Sequence, residues 1–196
     1  MNATQIQQDI SIIKEMIEKT RKETAESGHF FIAIGLFSII AAVAIGMLEY
    51  FHLNHLIIPV MILMVVVNGF IGYLTVTRKE KKEKVKTYHK TLLYNILFSC
   101  TVPAIMILFI FPLLKVYPWN LVPILISLIM GIIVYASGVI LESRYFRWSS
   151  AAWWAASLLM VYVRDMPRVL IMIAAIFLGW VLPGLLLNKQ VKNGSK

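Results

Sequence analysis

The chain has 196 residues, of which 59% are hydrophobic and only 15% are charged, and its formal net charge is +9 at pH 7. Soluble domains carry about 25% charged residues and about 45–50% apolar ones, so this composition argues against an ordinary water-soluble domain. The mean hydropathy of +0.77 predicts a protein whose solvent is lipid. The single cysteine, Cys100, excludes an intramolecular disulfide.

Residues 1–28 are predicted to form an amphipathic helix on the cytoplasmic side of the membrane. Ile6, Ile10, Ile13 and Ile17 follow the alternating spacing of four and three residues that is typical of a helical seam. Two interpretations remain open: the helix lies on its own bundle or on the membrane surface, or the seam is a short self-association surface between copies of the chain. The segment is too polar for a secretory signal, so the first span is expected to stay in the mature protein.

Six segments of residues 29–188 are predicted to cross the membrane, because a spanning helix needs about 20 mostly apolar residues. These segments are 30–48, 56–76, 92–111, 121–141, 148–163 and 169–187. The fifth is short, but it is uncharged and flanked by Arg147 and Arg164, whose side chains can reach the two interfaces. The sequence therefore predicts an all-α fold, a bundle of six transmembrane helices with a cytoplasmic tail at 189–196.

The distribution of Lys and Arg predicts the orientation of this bundle. With six spans, 16 of these residues fall on the side that holds both termini and 3 fall on the other side. Cytoplasmic loops hold the excess of basic residues, so both termini are predicted to be cytoplasmic. If 148–163 did not cross, Arg164 and Arg168 would join the side of the N-terminus and the C-terminal tail would leave it. The counts would then be 15 against 4, so the charge distribution favours the six-span arrangement only slightly.

The connection between the second and third spans, residues 77–90, reads TRKEKKEKVKTYHK and holds seven Lys or Arg. Its main predicted role is to keep this loop in the cytoplasm. Each basic side chain near the surface also adds up to about 1 kcal/mol of attraction to anionic lipid heads. The candidate lipid contacts are Arg78, Lys79, Lys81, Lys82, Lys84 and Lys86. No nucleic-acid partner is predicted.

The middle of every predicted span lacks charged residues, which argues against a proton-coupled pump. Asn68 and Ser99 each lie about nine residues from the cytoplasmic end of their span, at a depth of about 13 Å, so these two side chains are expected to come within reach of each other. Pro103 removes a backbone hydrogen bond and should free the carbonyl of Ser99. These polar groups either join helices by hydrogen bonds, or Asn68, Ser99, Thr101 and Pro103 form a solute pathway or hinge.

Two further groups of residues stand near the predicted interfaces. Glu49, His52 and His55 follow one another at intervals of three residues and include two histidines, which are good metal ligands. Residues three apart share a helical face, but residues six apart do not, so a single helix could not bring all three together. They are weak metal candidates, and no metal or cofactor is predicted. Trp153 and Trp154 lie near the cytoplasmic end of their span, where indole rings anchor helices at the interface. No catalytic motif is readable, so no catalytic residue is predicted.

The segments MIEKTRKETAESGHFFIAIG and GWVLPGLLLN resemble parts of small uncharacterised six-pass bacterial inner-membrane proteins. This resemblance implies a location in the bacterial inner membrane, with no assigned activity to carry over to particular residues. It agrees with the span count and orientation derived from the residues themselves.

Three functional hypotheses follow from the sequence. The leading one is a non-enzymatic membrane protein, alone or as a homo-oligomer, that moves or gates a small solute or ion. The alternative is an accessory or sensory membrane subunit that binds a cytoplasmic protein partner through its N-terminal helix and basic loop. A membrane-embedded enzyme is kept as a third, weaker hypothesis.

Overall fold

The computed structural model describes residues 28–80, 88–163 and 166–193. Within these ranges the chain is helical and contains no strand, which confirms the all-α prediction. The predicted N-terminal amphipathic helix lies outside the described residues, so both of its interpretations stay predictions.

Six long helices follow one another in these ranges. Helix α1 is Gly28–Tyr50, α2 is Ile57–Glu80, α4 is Val122–Ile140 and α5 is Arg144–Tyr162. Helix α3 consists of Tyr88–Ile105, a π turn at Met106–Ile110 and a last turn at Phe111–Leu113. Helix α6 consists of Met166–Ile176, a π turn at Phe177–Val181 and Leu182–Asn193. Short 3-10 turns at Asn54–Leu56 and Trp119–Leu121 lead into α2 and α4.

Five of the described helices, all except α5, are long and apolar enough to cross a bilayer. This arrangement is compatible with a multi-pass membrane protein, as the composition predicts. Helix α5 forms over the predicted fifth span, but it begins with Arg144, has Arg147 in its first turn and contains three serines. Because its sequence is more polar than that of the other five, the six-span count and the placement of both termini stay predictions.

Helix α5 packs into the core through one of its faces. Its Phe146 and Met160 have no exposed surface, and Trp153 is 2% exposed. The ring of Phe146 lies against Phe31 of α1, with centroids 4.6 Å apart. The core cluster around these residues also contains Ala175 of α6. This face of α5 therefore packs against other helices, whereas the opposite face is open, with Trp148 80% and Tyr162 86% exposed.

Helices α1 and α6 run antiparallel and close together because α1 carries glycines on the contact face. The backbone nitrogen of Val181 lies 3.4 Å from the position that a Cβ on Gly35 would take. Further along α1, a Cβ on Gly46 would lie 3.3 Å from Cγ2 of Val169. Small residues at such positions allow two helix backbones to approach closely in a membrane protein.

Helix α2 is the most peripheral of the five apolar helices, since only 6% of its most apolar window is buried. It contacts α1 through a hydrogen bond from Asn68 to Ser38, and its Met61 joins a second core cluster with α3 and α4. Its exposed side chains are large and apolar, among them Ile62, Leu63, Val66 and Phe70. Such a surface suits contact with lipid or with another apolar helix.

Three of the described helices end in the same backbone motif, and none of the three uses glycine. His52, Lys115 and Glu142 adopt left-handed backbone conformations with φ of 57°, 57° and 50°. The next amide in each case binds a carbonyl five residues earlier: Leu53 to Leu48 at 2.8 Å, Val116 to Phe111 at 3.0 Å and Ser143 to Gly138 at 2.9 Å. This is the Schellman arrangement, whose left-handed position normally favours glycine. The motif ends α1, α3 and α4 and reverses the chain.

Replacing His52 or Lys115 with glycine is expected to raise the free energy of unfolding by up to about 1 kcal/mol. A side chain in the left-handed region is strained by about 1–2 kcal/mol, and the greater freedom of glycine in the unfolded chain offsets part of this gain. Denaturant titration of the detergent-solubilised protein measures the change. In contrast, Met47→Gly inside α1 should lower the free energy of unfolding by about 1 kcal/mol. A decrease of similar size in His52→Gly would contradict the left-handed conformation of His52.

Candidate functional site

The structure pairs Asn68 of α2 with α1. Its Nδ2 donates a hydrogen bond to Oγ of Ser38 at 3.3 Å, and Ser38 is 6% exposed. The Oδ1 atom of Asn68 is buried without a hydrogen-bond partner. The amide of Asn68 therefore joins α2 to α1, and the structure does not bring it to Ser99.

Ser99, Thr101 and Pro103 lie on the exposed surface of α3. The Oγ1 of Thr101 donates to the carbonyl of Leu97 at 2.8 Å within the same helix. Pro103 stands inside the helix, where it supplies no N–H for the carbonyl of Ser99. Ser99 and Pro103 lie on one exposed side of α3, the polar face of this helix, whereas Thr101, two residues from each, points in another direction. Asn68 is not part of this face.

Two tryptophans of α5 pack on glycines of the flanking helices. A Cβ on Gly179 of α6 would lie 2.8 Å from Cε2 of Trp153, and a Cβ on Gly131 of α4 would lie 2.9 Å from Cε2 of Trp154. Trp153 is 2% exposed, so the prediction that this ring anchors the helix at the lipid interface is wrong. The ring lies within the core cluster that α5 forms with α1 and α6.

The π turns of α3 and α6 each end two residues before a proline, Pro112 and Pro183. In α3 the amide of Phe111 binds the carbonyl of Met106, five residues earlier. The next carbonyl, that of Ile107, would accept a hydrogen bond from the N–H of residue 112, but Pro112 has no N–H. Oη of Tyr117 supplies the missing donor, at 2.7 Å from the carbonyl oxygen of Ile107. The sequence signal for these turns was proline inside an apolar run.

Loss of the Tyr117 hydroxyl is expected to destabilise the α3–α4 connection by about 1 kcal/mol, the value of a typical hydrogen bond. Burial raises the pKa of the Tyr117 hydroxyl above its ordinary value of 10.0. Because the folded-state pKa is the higher one, this stabilisation is complete below about pH 10 and is lost as pH rises through the folded value.

Unfolding of the native protein and of Tyr117→Phe at neutral and alkaline pH tests this prediction. The gap between their free energies of unfolding should be present at pH 8 and should shrink above about pH 10. A gap that widens with rising pH would contradict the proton-donor role of Tyr117.

At the ends of α1 and α2, Glu49, His52 and His55 are all exposed. The left-handed conformation of His52 turns the chain between Glu49 and His55. Among the residues that the structure describes, no group of three His, Cys, Asp or Glu side chains is close enough to hold a metal ion. Two open surface clefts lie at this end of the bundle, one lined by His52 and one by Tyr117, and neither is lined by Asn68 or Ser99.

The predicted lipid-contact residues fall only partly inside the described ranges. Arg78 and Lys79 belong to the last turn of α2. Lys81, Lys82, Lys84 and Lys86 lie outside the described residues. Contact of this loop with anionic lipid stays a prediction.

Arg168, at the start of α6, has a structural role that the sequence did not reveal. Its Nη2 donates to the carbonyls of Met160 and Val163 at 3.0 and 2.8 Å, and its Nε donates to that of Val163 at 3.2 Å. Its Nη1 donates to the carbonyl of Asn120 at 2.7 Å. The guanidinium thus caps the carboxyl end of α5, where a cation is favourable, and ties it to the α3–α4 connection.

Comparisons with protein-family models, curated proteins and solved structures found no match. The resemblance to small bacterial inner-membrane proteins therefore stays a prediction from the two sequence segments. The observed contacts of the chain itself carry the functional argument.

Proposed function

We propose that this chain is a multi-pass integral membrane protein that acts by binding, as an accessory or sensory subunit, and does not move a solute through its own bundle. The observation that supports this most directly is the position of α5. Phe146, Trp153 and Met160 occupy the interior, and Trp153 is in van der Waals contact with the backbone of α6. A hydrated path along this part of the bundle would have to displace these packed side chains.

The proposed topology has six spans with both termini in the cytoplasm, which places most Lys and Arg residues on that side. Helix α5 is its fifth span. The serines of α5 are sheltered within the bundle: Oγ of Ser157 donates to the carbonyl of Ile124 at 3.0 Å, and Oγ of Ser150 donates to that of Arg147 at 2.7 Å. Polar groups in membrane helices normally face the protein interior and are paired there. Helix α5 can therefore be more polar than the lipid-facing helices and still cross.

The binding role is assigned to the parts of the chain on the cytoplasmic side. The seam of Ile6, Ile10, Ile13 and Ile17 suits an apolar groove on a protein partner. The basic residues between α2 and α3 would bind anionic lipid heads. This contact would keep the partner-binding side of the chain close to the membrane. The proposed location is the bacterial inner membrane, in line with the resemblance of the two sequence segments.

Movement of a small solute or ion remains the second candidate, and one observation favours it. The polar face of α3 around Ser99 and Pro103 is exposed, and the π turns of α3 and α6 interrupt two helices. Interrupted helices are common in transporters and π turns are frequent at functional sites. A pathway on this face would run between molecules and not through one bundle.

Two measurements on the purified protein separate the candidates. In liposomes, the accessory-subunit proposal predicts no flux of ions or small metabolites above that of empty vesicles. Deletion of residues 1–27 should leave thermal unfolding of the bundle unchanged and abolish co-purification of the cytoplasmic partner. Flux that falls in Ser99→Leu, with Leu36→Ala of α1 as a matched lipid-facing control, would overturn the proposal in favour of transport.

A further inference from the structure

One exposed face of α3 carries hydrogen-bonding groups where lipid would otherwise be the neighbour. Asn95, Ser99 and Val102 follow one another at spacings of four and three residues and are all exposed, so they share one side of the helix. Phe98 is 75% exposed and Val102 is 55% exposed beside them. Asn95 begins the apolar window of α3, and Ser99 lies about 6 Å further along the helix axis.

Ser99 presents both a donor and an acceptor on this face. No hydrogen bond to its hydroxyl occurs among the described residues, and its carbonyl lacks the helical partner because Pro103 has no N–H. Lipid tails offer neither donors nor acceptors, so unpaired groups of this kind are unfavourable within the hydrocarbon region. Thr101, two residues on, differs because its hydroxyl is already paired with the carbonyl of Leu97 at 2.8 Å.

We infer that this face of α3 is a self-association surface that binds the same face of a second copy of the chain. In such a pair, the Ser99 hydroxyl of each copy donates to the Ser99 carbonyl of the other. The inference rests on the proposed membrane embedding of α3 and goes beyond the proposed function in naming a surface and its partner.

The second copy fits better than an unrelated helix for a geometric reason. Two copies with the same orientation in the membrane are related by a two-fold axis along the membrane normal, which brings each residue opposite its equivalent at the same depth. Ser99 supplies both a donor and an acceptor and so is complementary to itself, as is the amide of Asn95. Phe98 and Val102 supply apolar contact around the polar pair, and van der Waals packing is a main driving force for helix association in lipid.

Disulfide cross-linking in native membranes tests the location of the interface. In a Cys100→Ser background, Ser99→Cys places one thiol on the proposed face, and Leu36→Cys places one on α1, where Leu36 is 50% exposed. An oxidant should convert Ser99→Cys largely to a covalent dimer of the chain and leave Leu36→Cys monomeric. A Ser99→Cys protein that stays monomeric, or that cross-links only to another protein, overturns the inference.

A second experiment tests the hydrogen bond between the two copies of Ser99. It measures dimerisation by fluorescence transfer in liposomes of increasing lipid content. Ser99→Ala removes the donor and Pro103→Ala restores the helical partner of the carbonyl, so each should weaken dimerisation about three- to thirtyfold. Thr101→Val is the matched control and should leave it unchanged. Equal dimerisation in all four proteins overturns the Ser99 contact.

An alkaline carbonate wash of the membranes distinguishes failure of this inference from failure of the proposed function. Protein that remains embedded but monomeric contradicts only the self-association surface. Protein that washes off contradicts both the membrane embedding and the pairing that depends on it.

Discussion

Replacing Gly179 with alanine is expected to lower the free energy of unfolding by about 1–3 kcal/mol, the usual range for overpacking in a dense core. The added Cβ would overlap the indole of Trp153, lying 2.8 Å from Cε2 and closer still to the Nε1 atom. Trp153 is 2% exposed and its ring lies against that of Trp180, with centroids 5.6 Å apart, so it has little room to move. Denaturant titration of the solubilised protein measures the loss.

Gly69→Ala is the matched control, because nothing lies within 4 Å of a Cβ added to Gly69. In a helix interior this change should leave stability unchanged or raise it by up to about 1 kcal/mol. A double-mutant cycle then assigns the cost of Gly179→Ala to its neighbour: the cost should fall when Trp153 is replaced with phenylalanine. Equal costs in both backgrounds would show that the contact between Gly179 and Trp153 is not the cause.

Replacing Arg168 with alanine is expected to destabilise the bundle by about 2–4 kcal/mol. The guanidinium donates to the carbonyls of Met160, Val163 and Asn120, and hydrogen bonds to charged groups contribute about 1.5–3 kcal/mol each where they are not replaced by water. The expected loss of stability is smaller than the sum of these contributions, because water can replace the exposed hydrogen bond to Asn120. Thermal and denaturant unfolding of the solubilised protein measure the change.

Lysine at position 168 should recover less than half of this loss, although it keeps the charge. Its single ammonium cannot reach carbonyls on both the end of α5 and the α3–α4 connection in the way that a planar guanidinium can. Arg144→Gln serves as the control, since Arg144 is exposed, and it should change stability by less than about 0.5 kcal/mol. Full rescue by lysine would mean that charge alone, and not the set of hydrogen bonds, accounts for the role of Arg168.

The long apolar helices could be predicted from sequence because their signal is local. A run of about 20 apolar residues is costly to expose to water and satisfies its own backbone hydrogen bonds as a helix in lipid. A long apolar helix can therefore be predicted without knowing which other helices it contacts. The five most apolar predicted spans accordingly lie within helices α1, α2, α3, α4 and α6.

The polar contacts could not be predicted in the same way, because the partner of a side chain depends on which helices become neighbours. Equal depth made Asn68 and Ser99 plausible partners, yet the structure pairs Asn68 with Ser38 at 3.3 Å. Helix depth restricts position along one axis only, and the rotation and order of the helices determine which faces meet. Trp153 illustrates the same limit, since an indole near a helix end reads as an interface anchor until its burial is known.

Local composition alone determined the all-helical class, the places where the long helices lie and the single basic connection between the second and third of them. Tertiary structure decided that the most polar helix, α5, buries one face in the core, that Trp153 and Trp154 rest on Gly179 and Gly131, and that Arg168 caps a neighbouring helix. The physical reason is that hydrophobicity is summed along the chain, whereas packing contacts and hydrogen bonds depend on atoms that are distant in sequence.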